Sequence, residues 1–169
     1  MKKISIILLV FAIMLGFYSC QKEAPKVVFN PANVKAPNLS GITDGSVITF
    51  AKSQADSVVQ FTWSPAEYGF NTSVQYFLQI AKAGTNFAEP QSLGTTESID
   101  TLSVVVSNFN NKVNTMKANA ESTDPVDVEM RLIAIINPNV DTVFSQTVSF
   151  TLNTYYIPIV YPQLYVPGD

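Results

Sequence analysis

Val126-Asp127-Val128-Glu129-Met130-Arg131-Leu132-Ile133-Ala134-Ile135-Ile136 carries the most sustained two-residue rhythm in the chain. Val126, Val128, Met130, Leu132, Ala134 and Ile136 share one side of an extended backbone, and Asp127, Glu129 and Arg131 stand on the other. Successive side chains of a strand point to opposite faces, so this pattern predicts a strand with one face in a core and the other in water.

The same rhythm recurs on both sides of that stretch. Val59, Phe61 and Trp63 alternate with Gln60 and Thr62, and Val74, Tyr76, Leu78 and Ile80 oppose Ser73, Gln75 and Gln79. Leu102, Val104 and Val106 form a third set; Val148, Phe150 and Leu152 alternate with Thr147, Ser149 and Thr151. Asn137-Pro138-Asn139 reads as a hairpin connection between the last two long strands, and Asp44-Gly45 and Gly84 break runs where a turn is needed. One stretch departs from period two. Phe109, Val113 and Met116 stand at i, i+4 and i+7, which predicts a short helix over 108–118 with Ser107 as its cap. Several antiparallel strands, each with one apolar face, imply an all-β fold: two sheets packed as a sandwich, with one short helix.

The first twenty residues set the compartment. Met1-Lys2-Lys3 is a basic start, and Ile4 to Phe17 is uncharged and largely apolar, the layout of a secretory signal. The run is shorter than the roughly 20 apolar residues that span a bilayer core. It ends at Ser19-Cys20, and Cys20 is the only cysteine of the 169 residues. A lone cysteine makes no internal disulfide, and a small residue before it fits a lipoprotein signal in which Cys20 is acylated and becomes the new N-terminus. The competing reading is an ordinary signal peptide cut elsewhere, which leaves Cys20 a free thiol. Loss of residues 1–19 would leave 8 basic against 13 acidic residues, a net charge of −5. Such a chain, with Arg131 its one arginine, has no electrostatic footprint for nucleic acid. Nor is it drawn to an anionic membrane surface, so attachment would rest on acyl chains. Pro25, Pro31 and Pro37 then mark an extended tether before the folded part.

The chemistry of catalysis is thin. The sequence has no histidine, which removes Ser–His and Cys–His dyads and the commonest metal ligand. No glycine-rich phosphate loop, nucleophile elbow or calcium-loop spacing is present, so no catalytic residue, metal site or cofactor is assigned. Asp127 and Glu129 share a strand face with Arg131, and a solvated charged face explains them better than an acid–base pair. Trp63 runs in phase with Val59 and Phe61 and is read as core. Phe77 falls on the polar side of its strand, between Gln75 and Gln79; it packs under the helix or marks a contact surface. Tyr155, Tyr156, Tyr161 and Tyr165 crowd the last fifteen residues among Pro158, Pro162 and Pro167. Phe77, Tyr161 and Tyr165 are therefore the residues to consider for ligand binding.

Phe61-Thr62-Trp63-Ser64-Pro65-Ala66, then Tyr68-Gly69 and Val74-Gln75-Tyr76-Phe77-Leu78-Gln79-Ile80, resembles the N-terminal domain of the SusE/SusF family. These are surface lipoproteins of starch-utilisation systems in Gram-negative bacteria. The helical stretch and the strand from Val126 fall where that domain expects them, and Leu164 to Asp169 resembles the opening of the family's first carbohydrate-binding module. The resemblance implies an Ig-like or fibronectin-like antiparallel sandwich over 38–157. It would follow a signal peptide (1–19) and a lipidated tether (20–37), and precede a linker into a module cut short (158–169). It also implies a non-catalytic outer-membrane lipoprotein at the cell surface, beside an importer complex of the SusC/SusD kind, with starch or maltooligosaccharide held by downstream modules. On that expectation the chain is a fragment or a truncated product. No glycan-contacting residue is carried over; only Cys20 is, as the lipid attachment point.

Two readings follow: an anchored spacer or docking domain of a glycan-capture lipoprotein, or a purely structural interaction domain that never meets sugar. Under both, Cys20→Ala should shift the protein from the membrane pellet to the soluble fraction, and continued sedimentation with membranes would refute acylation.

Overall fold

The alternating segments become strands in the computed structural model, which describes residues 29–156 and 158. In chain order they are β1 (Asn38–Ser40), β2 (Val47–Thr49), β3 (Val58–Ser64), β4 (Gln75–Lys82), β5 (Gln91–Glu97), β6 (Thr101–Val105), β7 (Val126–Ile135), β8 (Val143–Phe144) and β9 (Val148–Asn153). One α-helix is present among the described residues, α1 (Val106–Asn114), and it follows β6. The strands form two sheets, ordered β1-β3-β6 and β2-β9-β7-β4-β5, with β8 paired to β7. The fold is the expected all-β sandwich with one short helix.

The alternation predicts which side chains meet between the sheets. Phe61 and Trp63 of the smaller sheet face Tyr76, Leu78 and Ile80 of β4, Val128, Met130 and Leu132 of β7, and Leu152 of β9; all are buried in one cluster. Trp63 packs on Tyr76 at 5.4 Å between ring centroids, so it is core. Gly94 on β5 lets the two sheets close: a Cβ there would stand 3.0 Å from the Leu102 side chain of β6, tight enough that Leu102 would have to shift.

Two features depart from the sequence reading. The helix begins at Val106, not Asn108, and ends at Asn114, not Ala118. Ser107 is not its cap; the capping position is Val105, which offers no side-chain bond. Instead the Val106 and Ser107 N–H groups donate to the carbonyls of Ser57 and Ala55, each at 2.9 Å. The loop before β3 thus satisfies donors that a helix leaves unpaired, and no capping side chain is needed. The second departure is β2, which pairs with β9 in parallel rather than antiparallel fashion. β1 and β2 run in one direction and change sheets through the Asp44-Gly45 turn. Gly45, at φ +73°, donates to Ser149 at 2.7 Å, and Asp44 Oδ1 accepts the Ser149 N–H at 2.7 Å. A corner of this kind joins the sheets of a sandwich.

Helix α1 closes the core and fastens the far end of the chain. Phe109 meets Phe50 and Phe61 edge-on, at 5.2 and 6.0 Å. Asn110, fully buried, exchanges two bonds with the Tyr155 backbone: its Nδ2 donates to the carbonyl at 2.9 Å, and the Tyr155 N–H donates to its Oδ1 at 3.0 Å. Asn114 Nδ2 donates to the same carbonyl at 3.0 Å, and Thr154 Oγ1 donates to Asn114 Oδ1 at 2.7 Å. At the opposite end, Phe29 lies 6.5 Å from Tyr68, and Lys35 forms a two-way backbone bridge with Glu67.

These contacts generate a pair of mutational tests. Trp63→Ala should lower unfolding free energy by about 3–5 kcal/mol, the cost of truncating a buried aromatic. Asn110→Ala should cost about 1–3 kcal/mol, since it strands the buried Tyr155 N–H. Chemical denaturation of both variants checks the values; an unchanged midpoint for either removes that residue from the account.

Candidate functional site

The faces of β4 and β7 that point away from the core carry apolar side chains out of phase with their strands, among them Phe77 and Ile133. The register sets them opposite each other: Phe77 pairs with Ile133 on β7 and with Thr95 on β5, and Ile133 pairs with Phe144 on β8. One step along, Gln79 lies opposite Arg131. The expectation of a contact surface at Phe77 thus gains neighbours: a row Thr95–Phe77–Ile133–Phe144 beside the polar pair Gln79–Arg131.

Arg131 organises this patch. Its Nε and Nη2 donate to Gln79 Oε1 at 3.3 and 3.2 Å, which holds the guanidinium plane. Its Cζ stands 4.0 Å from the ring centroid of Phe87 and 4.5 Å from that of Phe144, so the cation lies against two aromatic faces. Phe87 arrives from the β4–β5 connection, where Asn86 and Phe87 adopt φ of +51° and +54°. Left-handed backbone at a phenylalanine costs about 1–2 kcal/mol, and here it turns the ring over Arg131. Phe87 and Ile133 are each only 9% exposed although neither belongs to the inter-sheet core, whereas Phe144 remains 44% exposed. They form a satellite apolar cluster outside the sandwich.

The strand's polar side is therefore not a uniform solvated face. Asp127 is exposed and accepts from Thr151 Oγ1 at 2.7 Å, and Glu129 accepts the Gly84 N–H at 3.3 Å. Arg131 is half-buried, and the only salt bridge among the described residues is Lys35–Glu67. Burial pushes the Arg131 guanidinium below its ordinary value, yet arginine stays protonated in proteins. A partly desolvated cation with no carboxylate partner among the described residues is the main electrostatic feature of the patch.

A second concavity, about 440 Å³, opens at the Tyr68 end between Pro65, Tyr68, Phe70, Asn71, Ser98 and Asp100. Its two tyrosine hydroxyls are already engaged with backbone. Tyr68 Oη donates to the Ala134 carbonyl at 3.0 Å, and Tyr76 Oη accepts the Ala66 N–H at 2.9 Å. Burial raises both phenols above their ordinary value, so they serve as structural hydrogen-bonding groups rather than titrating ones. Among the described residues no three His, Cys, Asp or Glu side chains converge as metal ligands, and no helix is long and apolar enough to cross a membrane.

Of the residues singled out in the sequence, Phe77 sits in the outer-face patch, while Cys20, Tyr161 and Tyr165 lie outside the described residues. Gln79, Phe87, Arg131 and Phe144 were not singled out as binding residues. The available signal was the pair Phe77 and Ile133, two apolar residues at polar-phase positions of adjacent strands.

Comparison with curated proteins returns no match. The SusE outer membrane protein family, in contrast, matches residues 22–133, from ahead of β1 to within β7. A match covering well over half of the 169 residues, on the sandwich that the resemblance implied, makes this chain a member of the SusE outer membrane protein family.

Proposed function

We propose that this domain is an anchored, non-catalytic spacer with a docking face, in an outer-membrane glycan-capture system. Cys20 would carry the lipid at the cell surface. Starch or a maltooligosaccharide would be held by downstream modules of the family's kind, beside an importer complex of the SusC/SusD type.

One observation supports the spacer reading above others: the chain arrives and leaves at opposite poles. Phe29 packs on Tyr68, and Tyr68 Oη bonds Ala134 near the end of β7. Leu152 pairs with Val126 at the start of β7, and Thr154 and Tyr155 follow directly. The eight residue steps from Val126 to Ala134 correspond to about 27 Å of strand. Both poles are pinned, the first by the Lys35–Glu67 bridge and the second by Asn110 and Asn114. A body fixed at both ends sets a distance between membrane and whatever follows; a domain whose ends met would not. The aromatic rings also fit a spacer better than a sugar platform, since Trp63 is in the core and Arg131 covers faces of Phe87 and Phe144.

Two measurements test this. Affinity electrophoresis in amylopectin and calorimetry with maltoheptaose, on residues 21–169, should show no binding; clear binding would give the domain a sugar site of its own and overturn the spacer reading. Spin labels at Ala32→Cys and Pro158→Cys, with Cys20→Ser, should lie roughly 30 Å or more apart with a narrow distribution. A distance near 15 Å would bring the poles together and defeat it as well.

A further inference from the structure

The outer-face patch holds a positive charge in place, and no negative one pairs with it among the described residues. The Gln79 amide and the faces of Phe87 and Phe144 fix the plane of Arg131. The Nε and Nη2 bonds both go to one neutral oxygen, so the fork's capacity for a planar carboxylate is not used within the described residues. The nearest acidic side chains on the same strand face, Asp127 and Glu129, bond to Thr151 and Gly84 instead. Beside Arg131, Phe144 is 44% exposed, and its other neighbours Ser145, Gln146 and Thr147 line a shallow depression of about 590 Å³ with Ala36, Pro37 and Asn38.

We propose that this patch is a protein-docking site whose partner presents a carboxylate to Arg131 and an adjacent apolar side chain to Phe144. The proposal deepens the docking half of the reading above, and it commits to a protein rather than a glycan for a geometric reason. A sugar platform needs bare aromatic faces, and here Arg131 lies over one face of each ring while Phe87 is otherwise buried, which leaves only part of Phe144 open. What remains is a ring with exposed surface next to a desolvated guanidinium, the arginine-and-aromatic pairing in which binding energy concentrates at protein interfaces. The net charge of −5 that remains without residues 1–19 disfavours an acidic partner at long range. That repulsion is screened beyond about 8 Å at physiological salt, so the close pair at Arg131 decides the sign.

The single arginine makes the test direct, because its Nε–H gives one side-chain resonance. Residues 21–169 are titrated with acetyl-Leu-Glu-Leu-amide, its Gln counterpart, glucuronate and maltoheptaose. The Glu peptide should shift the Arg131 Nε–H and the Phe144 ring signals with roughly millimolar affinity, and the Gln peptide should bind about tenfold more weakly. Arg131→Lys should lose about tenfold while thermal unfolding and Trp63 fluorescence report an intact core, since an ammonium lacks the fork. Equal responses to the two peptides, or no shift, would overturn the proposal; a response to glucuronate alone would replace the protein partner with an acidic sugar. None of these outcomes bears on the pole-to-pole distance or on amylopectin binding, so this inference and the spacer reading can fail separately.

Discussion

The pairing of β4 with β7 is the joint on which the rest of the molecule depends. Eight consecutive residues, Gln75 to Lys82, face Ile135 to Val128 in unbroken antiparallel register. Because side chains alternate, a one-residue slip would send Leu78, Ile80, Met130 and Leu132 into water and drive Gln79 and Arg131 into the core. Burial of the apolar set fixes the register, and the register in turn sets Phe77 against Ile133 and Gln79 against Arg131. The core and the outer patch are therefore two faces of one constraint. Changes that loosen the first should disperse the second.

The two faces solve opposite problems. Inside, apolar side chains are removed from water with few polar atoms among them; Asn110 and Asn114 are paired with the backbone of Tyr155 or with the Thr154 hydroxyl, whereas Trp63 Nε1 and Tyr155 Oη find no partner among the described residues. Unmade bonds at such a depth cost more than made ones contribute, which explains two asparagines at one carbonyl. Outside, the patch keeps a charge partly desolvated and a phenyl ring partly wet, and it accepts a left-handed phenylalanine to do so. A domain with no use for that face could have covered it with small polar residues at lower cost.

Legibility in the sequence followed the same division. The long central strands were readable because one face had to be apolar at every second position. Edge strands were not: Gln91–Glu97 holds Leu93 as its one large apolar residue, and its strand character comes from pairing with β4. The parallel seat of β2 depends on the Asp44–Ser149 clasp across more than a hundred residues, and the early start of α1 depends on carbonyls of Ala55 and Ser57. Neither leaves a local trace. Within the candidate site, Phe77 was legible as an apolar residue on the wrong phase. Phe87 reaches the site through an irregular connection and Phe144 through a two-residue strand, where no periodicity exists to be read.

The parallel clasp of β2 on β9 has a mechanical consequence. The chain enters above β1 and β2 and leaves below β9, and these strands run in the same direction. Under the proposed spacer role, a pull between the two ends of the domain would drag β2 and β9 past each other along their length. The bonds from Phe50 to Asn153, Thr151 to Ser46 and Gly45 to Ser149 are then strained together rather than opened one after another. A tether in shear geometry resists extension far better than one that unzips, and it protects the β4–β7 joint until the terminal strands give way.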